Sequence, residues 1–369
     1  PNINLEINGL ANWSQEDTRL DITTHIHDFC PHAIHLTDDY SEMTIGATAY
    51  INLSTSGKQW IDNLNGCVTI DTFSIQNGHK QAVMEQMKLL IGHEIKNGKS
   101  AHRLQLQSDY VTANMSGEYQ YTTLKNTIQQ IISTYLPSLV AKPKKKNRQP
   151  NDLTFYAYFR ELGQISDVLN LDISLPHYPT IKGTINECTQ QVELQAYIPS
   201  INTSGTNIKD LTIALNNQNN ALDLSVYMYN RLPKHNPTAA KIGDVKAHIN
   251  MAAQNDEIEL QVSLDNTDSV RNEGVINITS SIARYANKPL FDIHIHPSDF
   301  LLNDSAWSVT ESQIVYNTHE QKMHVNNFSL STDYQTIAAN GTASKDLQDS
   351  IHVRLQNIDI QYLLSYTQA

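Results

Sequence analysis

The chain has 369 residues, of which 40% are hydrophobic, 17% charged and 7% aromatic. Few charges and many short polar side chains are typical of sheets with one wet face and one apolar face. The formal net charge of −12 argues against a nucleic-acid-binding protein, which needs a basic face that displaces counterions from phosphate.

The first part of the chain predicts antiparallel strands joined by short turns. Ile3, Leu5 and Ile7 alternate with polar residues, as in a strand with one buried face. Residues 68–75 (VTIDTFSI) are apolar at every second position, slip by one residue and then alternate again. This pattern is typical of a strand with a β-bulge. Residues 83–95 have apolar side chains at helical spacing but lead into the turn KNGK, and we interpret them as a strand.

One amphipathic helix is predicted over residues 122–136, ending before Pro137. A basic run, AKPKKKNRQP at residues 141–150, follows it. Flanking prolines favour a solvated loop there, although the run could touch anionic lipid. The apolar stripe of the helix consists of Leu124, Ile128, Ile131, Ile132 and Tyr135. The predicted organisation is a β-hairpin module over residues 1–141, a basic crossing loop over residues 142–151, and a longer β-hairpin module over residues 152–369.

The second part of the chain repeats a bulged strand. Residues 322–331 (KMHVNNFSLS) reappear in outline as residues 352–361 (HVRLQNIDIQ). A repeated strand indicates hairpins stacked one on the next. A single sheet of roughly twenty strands has to curl or split. The predicted fold is therefore mainly β: an elongated antiparallel repeat sheet, curled into an open apolar groove (β-taco), with one or two amphipathic helices.

No motif indicates an enzyme. The sequence has no G-x-S-x-G, P-loop or G-x-G-x-x-G, and GHEIKN at residues 92–97 lacks the second His of H-E-x-x-H. His25 with His27, and His294 with His296, could each supply two metal ligands from one strand face, but neither pair has a third ligand at supporting spacing. We expect no catalytic residue, no metal and no cofactor.

The cysteines and the ends of the chain bear on its context. Cys30, Cys67 and Cys188 form neither a disulfide framework nor a zinc motif. No apolar run is long enough to span a bilayer, and we recognise no signal-peptide pattern in these residues. Because Pro1 already precedes a strand pattern, we expect an internal piece of a longer protein, with any anchor or export signal outside it.

Two stretches, residues 106–137 and 296–360, carry a family resemblance. The first contains Ser108, Asp109, Ala113, Gly117 and Tyr119 before the predicted helix, and Tyr135 and Pro137 at its end. The second contains Pro297, Ser298, residues 302–304 before Trp307, the strand VNNFSL, Gln335, Gly341, Ser344, and Asp349 before the strand IHVRLQNIDI. In order and spacing these positions resemble the TamB family, the inner-membrane subunit of the bacterial translocation and assembly module, in its Bacteroidota-type Gram-negative form.

The resemblance implies a periplasmic protein attached to the inner membrane, related to the AsmA-like and bridge-like lipid transfer proteins. Such proteins have a curled open sheet with an apolar groove along its inner face. The implied functions are movement of glycerophospholipid toward the outer membrane and support of outer-membrane protein assembly with a BamA-like barrel partner. We expect the inner-membrane anchor and the barrel contact to lie outside this chain.

The predicted lipid-binding residues are alternating aliphatic side chains of the central and C-terminal strands. A lipid chain gains about 0.8 kcal/mol per CH₂ buried on such a face, while its headgroup stays in water. Two alternatives fit the same alternation: a structural or adhesin-like stalk of closed β-sandwiches without a lipid groove, and a hydrolase with a compact pocket. The predicted residues are Leu222, Leu224, Val226, Met228, Ile258, Leu260, Val262, Leu264, Ile351, Val353 and Leu355.

Overall fold

The fold is mainly β, as predicted: strands make up 64% of the chain and helices 7%. All the strand pairs described below are antiparallel. The computed structural model describes residues 3–14, 17–37, 40–96, 98–144, 149–160, 162–203, 207–231, 244–266, 270–302 and 304–358.

The chain divides into two compact units. Each has its own order of antiparallel strands. Unit 1 consists of residues 1–127, 146–190 and 196–203, and unit 2 of residues 128–145, 191–195 and 204–369.

In unit 1, strands that are consecutive in the chain pair with each other, with one exception: β5 and β6 both pair with β4. Glu85 and Gln86 lie between β5 and β6, and the Asp109 carboxylate accepts hydrogen bonds from their backbone N–H groups, at 2.6 Å and 3.3 Å. Residues 83–95, predicted as a strand, form the end of β5 and most of β6. The strands are β1 (Ile3–Asn12), β2 (Thr18–Phe29), β3 (Met43–Thr55), β4 (Asn65–Asn77), β5 (Lys80–Met84), β6 (Met87–Lys96), β7 (Lys99–Ser108), β8 (Val111–Glu118), β9 (Asp152–Phe159) and β10 (Thr180–Asn186).

The predicted crossing loop over residues 142–151 does not interrupt the sheet of unit 1. β8, before the loop, pairs with β9, after it, along eight residue pairs from Val111↔Phe159 to Glu118↔Asp152. The module boundary at this loop stays a prediction. The next strand, β11 (Gln191–Asn202), is divided between the two units.

In unit 2, the hairpin of β18 and β19 lies beside a longer ladder. β16 pairs with β17 over most of its length and with β18 only at Glu273 and Gly274. Pro297, which has no N–H to donate, separates β17 from β18. The strands are β12 (Asn207–Asn216), β13 (Leu222–Arg231), β14 (Asp244–Gln254), β15 (Glu257–Asn266), β16 (Glu273–Tyr285), β17 (Lys288–Ile295), β18 (Ser298–Leu302), β19 (Ser305–Val309), β20 (Ser312–Asn317), β21 (Lys322–Ser331), β22 (Thr336–Ala343) and β23 (Ile351–Gln356).

The described residues contain two α-helices, α1 (Leu124–Tyr135) and α2 (Gly163–Val168), and two 3₁₀ turns, His32–Ile34 and Tyr121–Thr123. Helix α1 occupies most of the stretch predicted as an amphipathic helix, residues 122–136, and its amphipathic character stays a prediction. Its predicted stripe is unevenly covered, because Ile131 and Tyr135 are buried whereas Ile128 is 48% exposed. Within unit 2 the C-terminal part of α1 contacts a hairpin turn: Asp256 N–H donates to Tyr135 O at 2.9 Å.

The predicted bulges are present in β21 and β4. In β21 the register against β22 shifts between Val325 and Phe328, and Asn327 lies at φ 55°. The corresponding Asn357, just after β23, lies at φ 54°. The rest of that repeat, residues 359–361, is outside the described residues. In β4 the same slip leaves Asp71 without a partner in β3.

Asn327→Val is expected to destabilise the protein by about 2 kcal/mol, because a β-branched residue is strained at positive φ and the bond from Asn327 Nδ2 to Glu311 O (3.1 Å) is lost. Asn327→Gly keeps the backbone conformation but also loses this bond, so it should cost about 1 kcal/mol, roughly half as much. The matched control is Asn326→Val, one residue earlier. Urea unfolding measures all three variants, and equal costs at the two positions would contradict the bulge as the cause.

Complete burial is concentrated at strand ends and turns, not on the sheet faces. In unit 1 the side chains of Asp62, Tyr119, Thr127 and Asn151 are all fully buried. Thr127 donates to Glu187 Oε2 at 2.7 Å, and Asn151 Nδ2 donates to Thr127 Oγ1 at 2.6 Å. Buried polar groups need such partners. The best-packed part of unit 1 is therefore a hydrogen-bonded rim beside the start of α1.

Candidate functional site

The predicted lipid-binding residues of unit 2 lie on one face of its sheet. Directly opposite residues of an antiparallel ladder point to the same side. One row of opposite residues crosses nine strands, from β13 to β23, and is apolar except at Ser280 and Gly341. The row is Leu222, Ala253, Ile258, Ser280, Ile293, Ile314, Val325, Gly341 and Ile351.

The remaining predicted residues occupy neighbouring rows of this face. A second row joins Leu224 to Leu260 through Met251 and continues to Ile278. Val226 with Val262, and Met228 with Leu264, are likewise joined through β14. Val353 and Leu355 lie opposite Ala339 and Ile337 of β22. The structure therefore brings all eleven residues onto one surface, called here the apolar face of unit 2.

The bulge in β21 keeps this face continuous. Before the bulge Val325 lies opposite Gly341, and after it Phe328 lies opposite Ala339. Three positions on β21 thus match two on β22, so the apolar side chains of β21 remain on the face that Val353 shares. Without the extra residue, the second half of the strand would turn its apolar side chains to the other face.

The apolar face of unit 2 is only partly covered. Leu222 is 7% exposed, but Leu264 keeps 39%, Leu355 51% and Val353 63% of its surface exposed. Along β15, Ile258, Leu260 and Val262 are of intermediate burial, while the alternating Glu257, Glu259 and Gln261 are exposed. The apolar side is thus the more shielded side of this strand, but its side chains are not sealed in a core.

The opposite face of unit 2 is polar and carries a cavity of about 520 Å³. Two polar rows contribute most of its lining, one with Asp223 and Glu259, the other with Asn250, Gln261 and Asn277. Residues of the Leu224 row lie between these two rows in the sheet. Most of the lining residues belong to the polar face, but Leu224 and Leu260, two of the predicted lipid-binding residues, also line the cavity.

Unit 1 has an apolar row of its own that the sequence analysis did not single out. The sequence carried a signal for this row, because Leu20 and Ile22 follow a period-two alternation in β2 and Leu53 follows one in β3. The pairing register of the strands shows what the sequence could not, namely that apolar positions of neighbouring strands lie opposite each other. The row crosses nine strands of unit 1: Gly9, Ile22, Ile51, Val68, Leu89, Leu106, Ala113, Ala157 and Ile181.

Three of the four histidines considered as metal ligands contact other groups. His25 Nδ1 lies 3.4 Å from Thr48 Oγ1, His296 Nε2 lies 3.0 Å from Thr279 Oγ1, and His294 Nε2 lies 3.2 Å from Asp292 Oδ1. Within the described ranges no three His, Cys, Asp or Glu side chains are grouped as metal ligands. His25 and His296 thus make polar contacts across strands, whereas His294 contacts a residue of its own strand.

An aromatic cluster in unit 1 contains titratable groups whose surroundings shift their pKa values. His93 and His102 lie directly opposite each other, with ring centroids 4.9 Å apart, and the ring of Tyr119 lies 5.0 Å from that of His102. Burial, together with the neighbouring His102, lowers the pKa of His93, against a smaller opposing effect of Asp62. Burial and the hydrogen bond to Tyr121 raise the pKa of Tyr119. Both shifts favour the neutral forms, as packing requires.

No family model, curated protein or solved structure matches the chain. In the part of the chain that the structure describes, no helix has the length and apolar character needed to cross a bilayer.

Proposed function

We propose that the chain is a periplasmic segment of an inner-membrane-anchored, bridge-like protein that carries glycerophospholipid toward the outer membrane. Acyl chains lie on the apolar face of unit 2, and headgroups stay in water. Support of outer-membrane protein assembly belongs to the same proposal, through a BamA-like barrel partner that binds outside this chain. The family resemblance supports the location and partners, and the apolar face supports the cargo. Lipid passage of this kind needs no catalytic group.

The observation that carries the proposal is the nine-strand apolar row from Leu222 to Ile351. A surface that accepts a lipid chain anywhere along its length needs aliphatic contacts without polar interruptions. The row provides them in seven of nine strands, and of the other two only Ser280 carries a polar side chain, because Gly341 has none. Because the row repeats apolar contacts from strand to strand, it suits an acyl chain that slides along the sheet better than one that docks in a single pocket.

Partial exposure of this face favours an open surface over the closed-sandwich alternative. Two sheets that pack face to face bury the central side chains of their inner faces. Here Leu224, Val226, Leu260 and Val262, central in their strands, are of intermediate burial. A bound acyl chain would cover the surface that they leave exposed. For the transport protein we propose that the sheet curls around this face.

Photocrosslinking tests the proposal at adjacent residues of opposite faces. Benzoylphenylalanine replaces one residue at a time: Leu260 or its neighbour Gln261, and Val226 or its neighbour Ser225. Each purified variant is irradiated with vesicles of bacterial phospholipid. We expect phospholipid adducts at Leu260 and Val226, at least fivefold above those at Gln261 and Ser225. Equal labelling of the two faces, or labelling of neither, would overturn the assignment of the lipid-binding face.

A further inference from the structure

Unit 1 contains an apolar cavity of about 740 Å³ at one end of β2 and β3. Leu20 and Leu53, which lie directly opposite each other, belong to its lining on the sheet. Leu64, Trp13 and Trp60 supply most of the rest of its apolar surface. This volume is in the range of pockets that hold a single small molecule.

The loop that carries Trp60 is held in place on both sides of it. Thr55 Oγ1 donates to Trp60 O at 2.5 Å, and Asn63 Nδ2 donates to Ser56 O at 2.7 Å. Asp62 is fully buried, and its carboxylate accepts bonds from the N–H of Thr122 at 3.2 Å and from the hydroxyl at 2.5 Å. These hydrogen bonds therefore fix the loop that forms one wall of the cavity.

Both tryptophans of the cavity keep much of their surface in water. Trp13 is 82% exposed and Trp60 is 58% exposed, whereas the third tryptophan of the chain, Trp307, is 7% exposed. The residue after Trp13 fixes its turn, because Ser14 Oγ accepts the N–H of Asp17 at 2.9 Å. Two large aromatic side chains held at one apolar cavity and left exposed mark a ligand surface.

One cation completes the lining. Lys58 is exposed and belongs to the residues around the cavity, and among the described residues it forms no ion pair. An apolar cavity with one ammonium group at its lining suits a ligand with one apolar chain and one negative charge. Lysine can attract such a headgroup while its stem contacts the chain.

We propose that this cavity binds a single-chain anionic amphiphile, with the acyl chain between Trp13, Trp60, Leu20 and Leu53 and the headgroup near Lys58. The shared chemistry is one acyl chain with an anionic head, supplied by a fatty acid carboxylate or by a lysophospholipid phosphate. The site lies within unit 1 and does not depend on lipid transport along the apolar face of unit 2.

The test uses the two tryptophans as probes. Brominated fatty acids quench nearby tryptophan fluorescence, so titration of the purified chain should give saturable quenching at one ligand per chain. Trp13→Phe plus Trp60→Phe leaves Trp307 as the only tryptophan and should remove at least four-fifths of the quenching. Affinity should rise roughly threefold to fourfold per added CH₂ and then level off once the cavity is filled.

Variants separate the chain and headgroup contributions. Leu53→Asn is expected to weaken binding at least tenfold, and Trp60→Ser, an exposed loop change that leaves the strands intact, at least fivefold. Lys58→Met should weaken a fatty acid or lysophosphatidic acid about threefold to tenfold and leave a monoacylglycerol of equal length unchanged. The ratio of the fatty acid to the lysophosphatidic acid affinity tells which headgroup the site prefers.

Leu260→Asp on the apolar face of unit 2 should leave this binding unchanged. If Leu260→Asp abolishes fatty acid binding and Trp60→Ser does not, the ligand occupies the apolar face and the cavity proposal is wrong. Quenching that does not saturate, or that ignores chain length, also overturns it. Loss of phospholipid adducts at Leu260 with intact fatty acid binding would refute the proposed function alone.

Discussion

Leu260→Asp is expected to lower the phospholipid bound by the purified chain at least tenfold and to leave the fold intact. Leu260 lies between Met251 and Ile278 in the second apolar row, so a carboxylate there must be desolvated whenever an acyl chain crosses the row. Because Leu260 is only of intermediate burial, the unfolding free energy should fall by only about 1 kcal/mol. Bound lipid is measured by extraction and mass spectrometry, and stability by urea unfolding.

The matched control is Gln261→Asp, one residue away on the polar face. It introduces the same carboxylate on the same strand at an exposed position, and lipid binding and stability should both stay near those of the unchanged protein. A fall of roughly 3–5 kcal/mol for Leu260→Asp would place Leu260 in a sealed core. That result would favour the structural stalk with closed sandwiches.

Asn151→Leu is expected to lower the free energy of unfolding by about 3 kcal/mol. The Asn151 side chain is fully buried; its Oδ1 accepts the N–H of Gln120 at 2.8 Å and its Nδ2 donates to the hydroxyls of Thr123 and Thr127. Leucine has a similar size but leaves the Gln120 N–H without this acceptor inside the protein. Urea unfolding measures the change.

Two further variants test whether lost hydrogen bonds cause the destabilisation expected for Asn151→Leu. Asn151→Asp keeps an acceptor for Gln120 but loses the two donated bonds and places a second carboxylate near Glu187, so we expect a substantial loss here too. Gln76→Leu, at an exposed strand position of unit 1, should change stability by less than about 0.5 kcal/mol. If Asn151→Leu behaved like Gln76→Leu, the buried rim would not be a main source of stability.

The sequence predicts the strand pattern well because alternation is a local signal. Each aliphatic residue at every second position reports which side of its own strand is apolar, and the slip at Asn326 and Asn327 reports the bulge. Pairing in register cannot be read in the same way. That Leu222 and Ile351 lie at the two ends of one row across nine strands follows from the hydrogen-bond registers of eight successive strand pairs.

The rim of unit 1 and the tryptophan cavity were not predicted, for a physical reason. Asp62, Asn151 and Glu187 are distant in sequence, and loops bring them together without any period or motif. In the loop before β4, Trp60 appears as a lone aromatic residue among polar ones. Its meaning depends on Trp13, which another loop places at the same cavity. Sites of this kind are assembled in space.

The most direct test of lipid carriage is the lipid content of the purified chain. The protein is exposed to bacterial phospholipid, freed of unbound lipid by gel filtration and extracted for mass spectrometry. We expect at least one glycerophospholipid per chain, which Leu260→Asp removes and Gln261→Asp retains. A correctly folded chain that carries no phospholipid, and that Leu260→Asp strongly destabilises, would contradict it.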